Sequence, residues 1–273
     1  MDKLRMPTPS LPQKCQLGWV GLVTASAFAA SLLSGGIVRA ESPDTAPAQL
    51  KATLTQLDTI ANRRDVPGTL QFYGENFRSS DGLTRQTLGQ SLTSLWQRYP
   101  NLTYQTELKS WKAVGAGFEA ETVTRITGTQ KQGDREFKID STLQAKQQIE
   151  NQKVVRQEIV TERSLITSGS NPPKVLLNLP EQVSPGQEFS VDAIVQEPLG
   201  SDLLLGVALE EAVKPDGFLN PTKVDLEPLN GGGIFKTGRA PTTANSHWIS
   251  AVIVRQGGIT MITQRLRVAG SGR

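Results

Sequence analysis

From Leu102 to Ile166 the chain repeats every second residue, and no other feature restricts its fold as strongly. Leu102, Tyr104, Thr106 and Leu108 alternate with Thr103, Gln105, Glu107 and Lys109. Beyond Gly115-Ala116-Gly117 the alternation resumes at Phe118, Ala120, Thr122, Thr124 and Ile126. A turn around Gly133 leads to Phe137, Ile139, Ser141, Leu143 and Ala145, and Glu150-Asn151-Gln152 leads to a last run from Val154 to Ile166. A period of two sends successive side chains to opposite faces, so each run reads as a strand with one apolar and one wet face. Turns at these spacings predict an antiparallel meander of four strands.

A helical period precedes it. Leu50, Leu54, Leu57 and Ala61 fall on one stripe that Ile60 widens, predicting a helix over 50–65. Asp65-Val66-Pro67 restarts the chain, and a short helix carrying Leu70, Phe72 and Tyr73 is expected next. After a turn at Asp81-Gly82, the residues Leu88, Leu92, Leu95, Trp96 and Tyr99 define a third helix, stopped by Pro100. Three helices and four strands make an α+β layer over residues 49–168. The composition of Ser168 to Pro173 marks 169–173 as a linker. About seven short strands separated by Gly- and Pro-bearing turns then predict a β-sandwich over 174–268, with 269–273 as a tail.

The first part resembles the nuclear transport factor 2-like superfamily and its SnoaL-like branch. The resemblance rests on the order of elements and on Phe72-Tyr73-Gly74-Glu75-Asn76-Phe77, followed by Asp81-Gly82 and the helix ending at Trp96. It implies a cone: a curved antiparallel sheet wrapped on three helices around an apolar cavity. Members include dehydratases, isomerases, epoxide hydrolases and modules with no reaction, so the fold alone does not choose a function. The second part resembles exported bacterial immunoglobulin-like modules, through the run Leu179-Pro180-Glu181-Gln182-Val183-Ser184-Pro185-Gly186-Gln187-Glu188-Phe189-Ser190-Val191. It lacks the cysteine pair of antibody domains, and the resemblance implies a spacer or docking surface.

Residues 1–40 read as an export signal: Lys3, Arg5 and Lys14 precede an apolar run from Leu17 to Leu33, and Val38-Arg39-Ala40 offers a cleavage site. Residues 41–48 follow as a polar spacer. Uncleaved, the leader would anchor the chain in a membrane; cleaved, it would deliver the chain to a periplasm, or to a thylakoid lumen in a cyanobacterium. The 29 Lys and Arg exceed the 26 Asp and Glu only because this leader is basic. The body is balanced, which argues against nucleic acid as a partner. Cys15 is the one cysteine and precedes the cleavage site, so the exported body would hold no disulfide or thiolate metal site. His247 is the one histidine. Zinc chemistry and a Ser-His-Asp hydrolase are therefore disfavoured, and no metal or cofactor is expected.

With the apolar set of each strand facing the helices, the cavity is expected to receive Tyr104, Phe118, Thr122, Phe137, Ser141 and Gln157, joined by Tyr73 and Trp96. The inward set of the strands holds no carboxylate. Asp140 alternates outward, and would serve as a catalytic base only if a bulge swapped its face. Trp111 falls out of phase with the apolar face and is expected to meet a partner or the second part. The leading expectation is an exported, non-catalytic binding or assembly module. Its cone would bind a small apolar ligand or pair with a second copy through its sheet. The alternatives are a hydrolyase or isomerase using Asp140 or Tyr104, and a structural envelope protein.

Overall fold

The computed structural model describes residues 40–219 and 225–270. Residues 1–39 of the leader, with Cys15, residues 220–224, of which the last two open a strand expected over 223–229, and 271–273 of the tail lie outside the described residues. Helix α1 (Ala48–Asn62) is followed by α2 (Val66–Leu70), whose N-cap Asp65 accepts from the Gly68 N–H. The chain then departs from the expected helix. Tyr73 begins a strand, β1 (Tyr73–Ser79), where a Gly and two aromatics favour extended backbone over another helical turn. Helix α3 (Arg85–Arg98) starts at a capping box between Thr84 and Thr87.

Strands β2 (Thr103–Val114), β3 (Gly117–Gln132), β4 (Arg135–Glu150) and β5 (Lys153–Gly169) pair antiparallel in chain order. Asn151 and Gln152 both take positive φ in the two-residue turn between β4 and β5, as a tight hairpin requires. The sheet packs on the helices through two apolar clusters. One holds Leu50, Leu54, Tyr73, Phe77, Trp111 and Ile149; the other holds Ala61, Trp96, Leu102 and Ile139.

The remaining strands are β6 (Val175–Asn178), β7 (Gln182–Val183), β8 (Glu188–Val195), β9 (Leu205–Ala212), β10 (Glu227–Pro228), β11 (Gly233–Arg239), β12 (Asn245–Arg255) and β13 (Gly258–Val268), with a short helix α4 (Pro215–Leu219) after β9. Strands β11, β8 and β6 form a small second sheet. It encloses a core with β9, β12 and β13 through Phe189, Val191, Ala193, Ile249, Ile253, Ile262 and Leu266.

The two parts share one sheet of ten strands: eight run in the order β10-β9-β12-β13-β5-β4-β3-β2, and β1 and β7 pair in addition with β5 and β13. Strand β5 makes this possible by its length. One of its edges pairs with β4, while the other is divided between β1, at Val154 to Gln157, and β13, at Arg163 to Gly169. The stretch 169–173, read from composition as a linker, leads from the end of β5 to β6 of the small sheet and is held against β13 and the turn before it: the Asn171 N–H donates to the Gly257 carbonyl, and the Pro173 carbonyl accepts from the Thr260 hydroxyl. Gly169 has φ +103° and lies against Gly257, where a Cβ would come within 2.2 Å of the Gly257 carbonyl oxygen.

Two further expectations are corrected. Residues 41–48 do not hang free: Pro43–Thr45 form a 3-10 turn, Ala46 is buried, and Glu41 and Trp111 exchange backbone hydrogen bonds. Trp111 faces this core, not a partner. The β2–β3 register shifts between Leu108 and Ser110, and that bulge moves Trp111 inward. Its indole N–H donates to the Ser42 carbonyl and the Thr45 hydroxyl, and its ring meets Phe118 edge-on.

Candidate functional site: an apolar cavity in the cone

The helices and the concave side of the sheet enclose a cavity of about 270 Å³. Leu54, Leu57 and Ala61 of α1, Leu88, Leu92 and Leu95 of α3, Ile126 of β3, Leu143 and Ala145 of β4 and Ile159 of β5 make it largely apolar. Of the eight residues expected from sequence as ligand-binding, the wall includes Tyr73, Trp96, Tyr104 and Gln157. The other four lie elsewhere. Phe118 packs on Trp111, Thr122 is fully buried, and Ser141 donates to Ser164 across β4 and β5. Phe137 pairs with Ser168 near the far end of β4. These residues share the inward face of the sheet but do not line the cavity. Asp140 stands on the exposed face, bidentate to Arg125.

Trp96 Nε1–H donates to the Tyr104 hydroxyl at 2.8 Å. An indole N–H only donates, so the Tyr104 oxygen is the acceptor and its own proton is directed elsewhere. Burial pushes the Tyr104 phenol up to about 12, against the opposing pull of the Trp96 hydrogen bond and Arg64. Tyr73 is likewise raised to about 12 by burial, with Tyr104 and Asp58 adding to it. Both phenols are thus neutral near pH 7.

Carboxylates do reach the cavity, contrary to the expectation from the strands. Asp58 comes from α1, on which the strand alternation has no bearing. Its oxygens accept the Thr106 N–H and hydroxyl, each at 2.6 Å. Four residues on, Asn62 both donates to the Tyr104 carbonyl and accepts from its N–H. Asp58 and Asn62 so occupy backbone groups that the outer edge of β2 would otherwise leave open to another strand. Glu162 enters through a second bulge. The β4–β5 register shifts between Gln144 and Ala145, so Glu162, opposite Leu143, joins the inward face.

At that end of the cavity the second part of the chain supplies a wall. Arg265 of β13, its side chain 1% exposed, grips Asp81 with two hydrogen bonds of 2.9 Å and reaches Glu162 Oε2 at 3.0 Å. Trp248, opposite Arg265 on β12, donates to the same Glu162 oxygen at 2.9 Å. Phe218 of α4 meets the Trp248 ring edge-on at 4.8 Å and lines the cavity. Burial works against the Arg265 charge, but Asp81 and Glu162 outweigh it and hold the guanidinium pKa above its ordinary value. Three residues of the wall hold a polar atom that is buried without a hydrogen-bond partner among the described residues: Thr69 Oγ1, Ser91 Oγ and Gln147 Oε1.

A family model described as "Domain of unknown function (DUF8623)" matches residues 170–269. No curated protein sequence matches the chain. Among solved structures, AclR of Streptomyces galilaeus is similar at 18% identity and TM-score 0.32, over 42% of this chain and 76% of that one. An LEH-like epoxide hydrolase of M. tuberculosis is similar at 8% identity and TM-score 0.29, over 41% of this chain and 80% of that one. Bd1075 of Bdellovibrio bacteriovorus is similar at 15% identity and TM-score 0.29, over 40% of this chain and 38% of that one, so the chain spans well under half of Bd1075.

Proposed function

We propose that residues 48–169 form a nuclear transport factor 2-like cone whose cavity binds a small, largely apolar molecule. The β layers that follow close the cavity through Arg265 and Phe218, in the manner of an immunoglobulin-like module fused to it. Export by the leader, to a periplasm or a lumen, belongs to the same proposal. The observation that carries it is a cavity of about 270 Å³, apolar on most of its wall, whose lining residues Thr69, Ser91 and Gln147 each hold a buried polar atom with no partner in the described chain. Buried polar atoms are ordinarily hydrogen-bonded, and a bound molecule with one or two polar atoms would answer them. Dimerisation through the sheet draws less support. The outer face carries Glu107, Lys109, Arg125 and Asp140, and the β2 edge is occupied by Asp58, Asn62 and Glu41.

Native mass spectrometry of the chain purified from its source tests the proposal. A reproducible small-molecule adduct is expected, lost in Ala145→Phe, which fills the cavity. Identical adduct-free spectra for both proteins would count against it. The inward Asp58 favours a second reading, in which the cone catalyses proton transfer in a hydrophobic substrate, with Asp58 as base and Tyr104 as hydrogen-bond donor. Asp140 has no part in it. Under this reading Asp58→Asn abolishes turnover of a substrate that still binds.

A further inference from the structure

The cavity is charged as well as apolar, and its charges are mostly of one sign. One cation, Arg265, faces three carboxylates on the wall: Asp58, Asp81 and Glu162. Arg265 is committed to Asp81 and Glu162 together, which leaves that group with an excess negative charge. Glu162 Oε2 takes the hydrogen bonds from Arg265 and Trp248, while Oε1 receives none from the described residues. Asp58 has no cation within ion-pair distance among the described residues; Thr106 gives each of its oxygens one hydrogen bond and leaves each a further lone pair.

A second observation agrees with the charge. Gln147 is 6% exposed, lies along the same β4 wall as Leu143 and Ala145, and its side-chain oxygen has no donor among the described residues. What the wall lacks is therefore free positive charge: its hydroxyls can donate or accept, while its one cation is already engaged. An anionic ligand would meet unanswered carboxylates and an Arg265 already saturated. Beside Asp58, the rings of Tyr104 and Trp96 stand edge to face with centroids 6.3 Å apart, and Tyr73 feels the Asp58 charge. Aromatic faces attract a cation, and a carboxylate set among them attracts it further.

Resting on the reading of the cone as a small-molecule site, we infer that its ligand is a small hydrophobic amine, bound as the ammonium ion with its N–H groups on the Asp58 carboxylate and its apolar body along Leu92, Leu95 and Leu143. The neutral phenols of Tyr73 and Tyr104 add no competing charge.

Three probes share one skeleton and differ in charge: 1-naphthylmethylamine, 1-naphthalenemethanol and 1-naphthoic acid. Their affinities for the full chain are measured at pH 7 by calorimetry. The amine is expected to bind about ten-fold or more tightly than the alcohol, and the acid most weakly. Asp58→Asn should bring the amine-to-alcohol ratio toward one. Alcohol or acid binding as tightly as the amine overturns the inference and leaves the small-molecule reading standing. Binding by none of the three overturns both. Should Asp58→Asn fail to fold, the ratio in the unaltered chain still decides.

Discussion

Replacing Arg265 by Met keeps most of its apolar volume and removes the charge that joins the second part of the chain to the cone. Its guanidinium is 1% exposed, and the carboxylates it leaves, Asp81 and Glu162, are 6% and 15% exposed. Two negative charges would then face each other in a nearly dry site, with only the Trp248 N–H still donating to Glu162. Breaking a buried ion group by removing one partner typically costs about 3–5 kcal/mol, because the stranded charge loses both water and its countercharge. For a chain of this size each kcal/mol moves the melting temperature by about 2–4 °C, so a fall of about 6–20 °C is expected. Scanning calorimetry of the unaltered chain and Arg265→Met at pH 7 measures it. Adding Asp81→Asn and Glu162→Gln removes the stranded charges and should recover more than half of the loss. A fall below about 2 °C, or no recovery in the triple variant, would refute the reasoning that this cluster is dry and coupled.

Three further outcomes are expected. Tyr73 and Tyr104 are raised to about 12, whereas an unfolded tyrosine ionises near 10. Their contribution to stability is therefore intact below about pH 10 and is lost as pH rises toward about 12, and tyrosinate absorbance should lag behind that of a denatured control. Gly169→Ala puts a Cβ 2.2 Å from the Gly257 oxygen at φ +103° and should cost about 2 kcal/mol or more, read as a lowered urea midpoint. Asn62→Ala frees the Tyr104 N–H and carbonyl on the β2 edge; a loss of about 1–3 kcal/mol and faster hydrogen exchange at Tyr104 are expected.

The helices and the four long strands were legible because their periods differ and Gly or Asn marks each turn. Four features were not. The bulges that bring Trp111 and Glu162 inward leave no mark in an alternation pattern, since one extra residue merely reverses which half of a strand is buried. Asp58 was invisible to strand reasoning because it lies on a helix whose apolar stripe it flanks. Arg265 looked like Arg267, two residues on: both alternate away from Ile262 and Leu266, and only the pairing of β13 with β5 buries one of them against the cone. That pairing joins residues almost a hundred positions apart, and local pattern does not carry such a contact. The continuity of the ten-stranded sheet was hidden for the same reason, behind a Ser-, Gly- and Pro-rich stretch that reads as a linker.

The central claim is that the cone encloses an apolar, ligand-sized cavity between α3 and the sheet. Crystals of the chain pressurised with xenon test it directly, because xenon enters dry apolar cavities and scatters strongly. Density is expected among Leu92, Leu95, Ile126 and Leu143 in the unaltered chain and its loss in Ala145→Phe. Side chains collapsed into that space, with no xenon bound, would contradict the account.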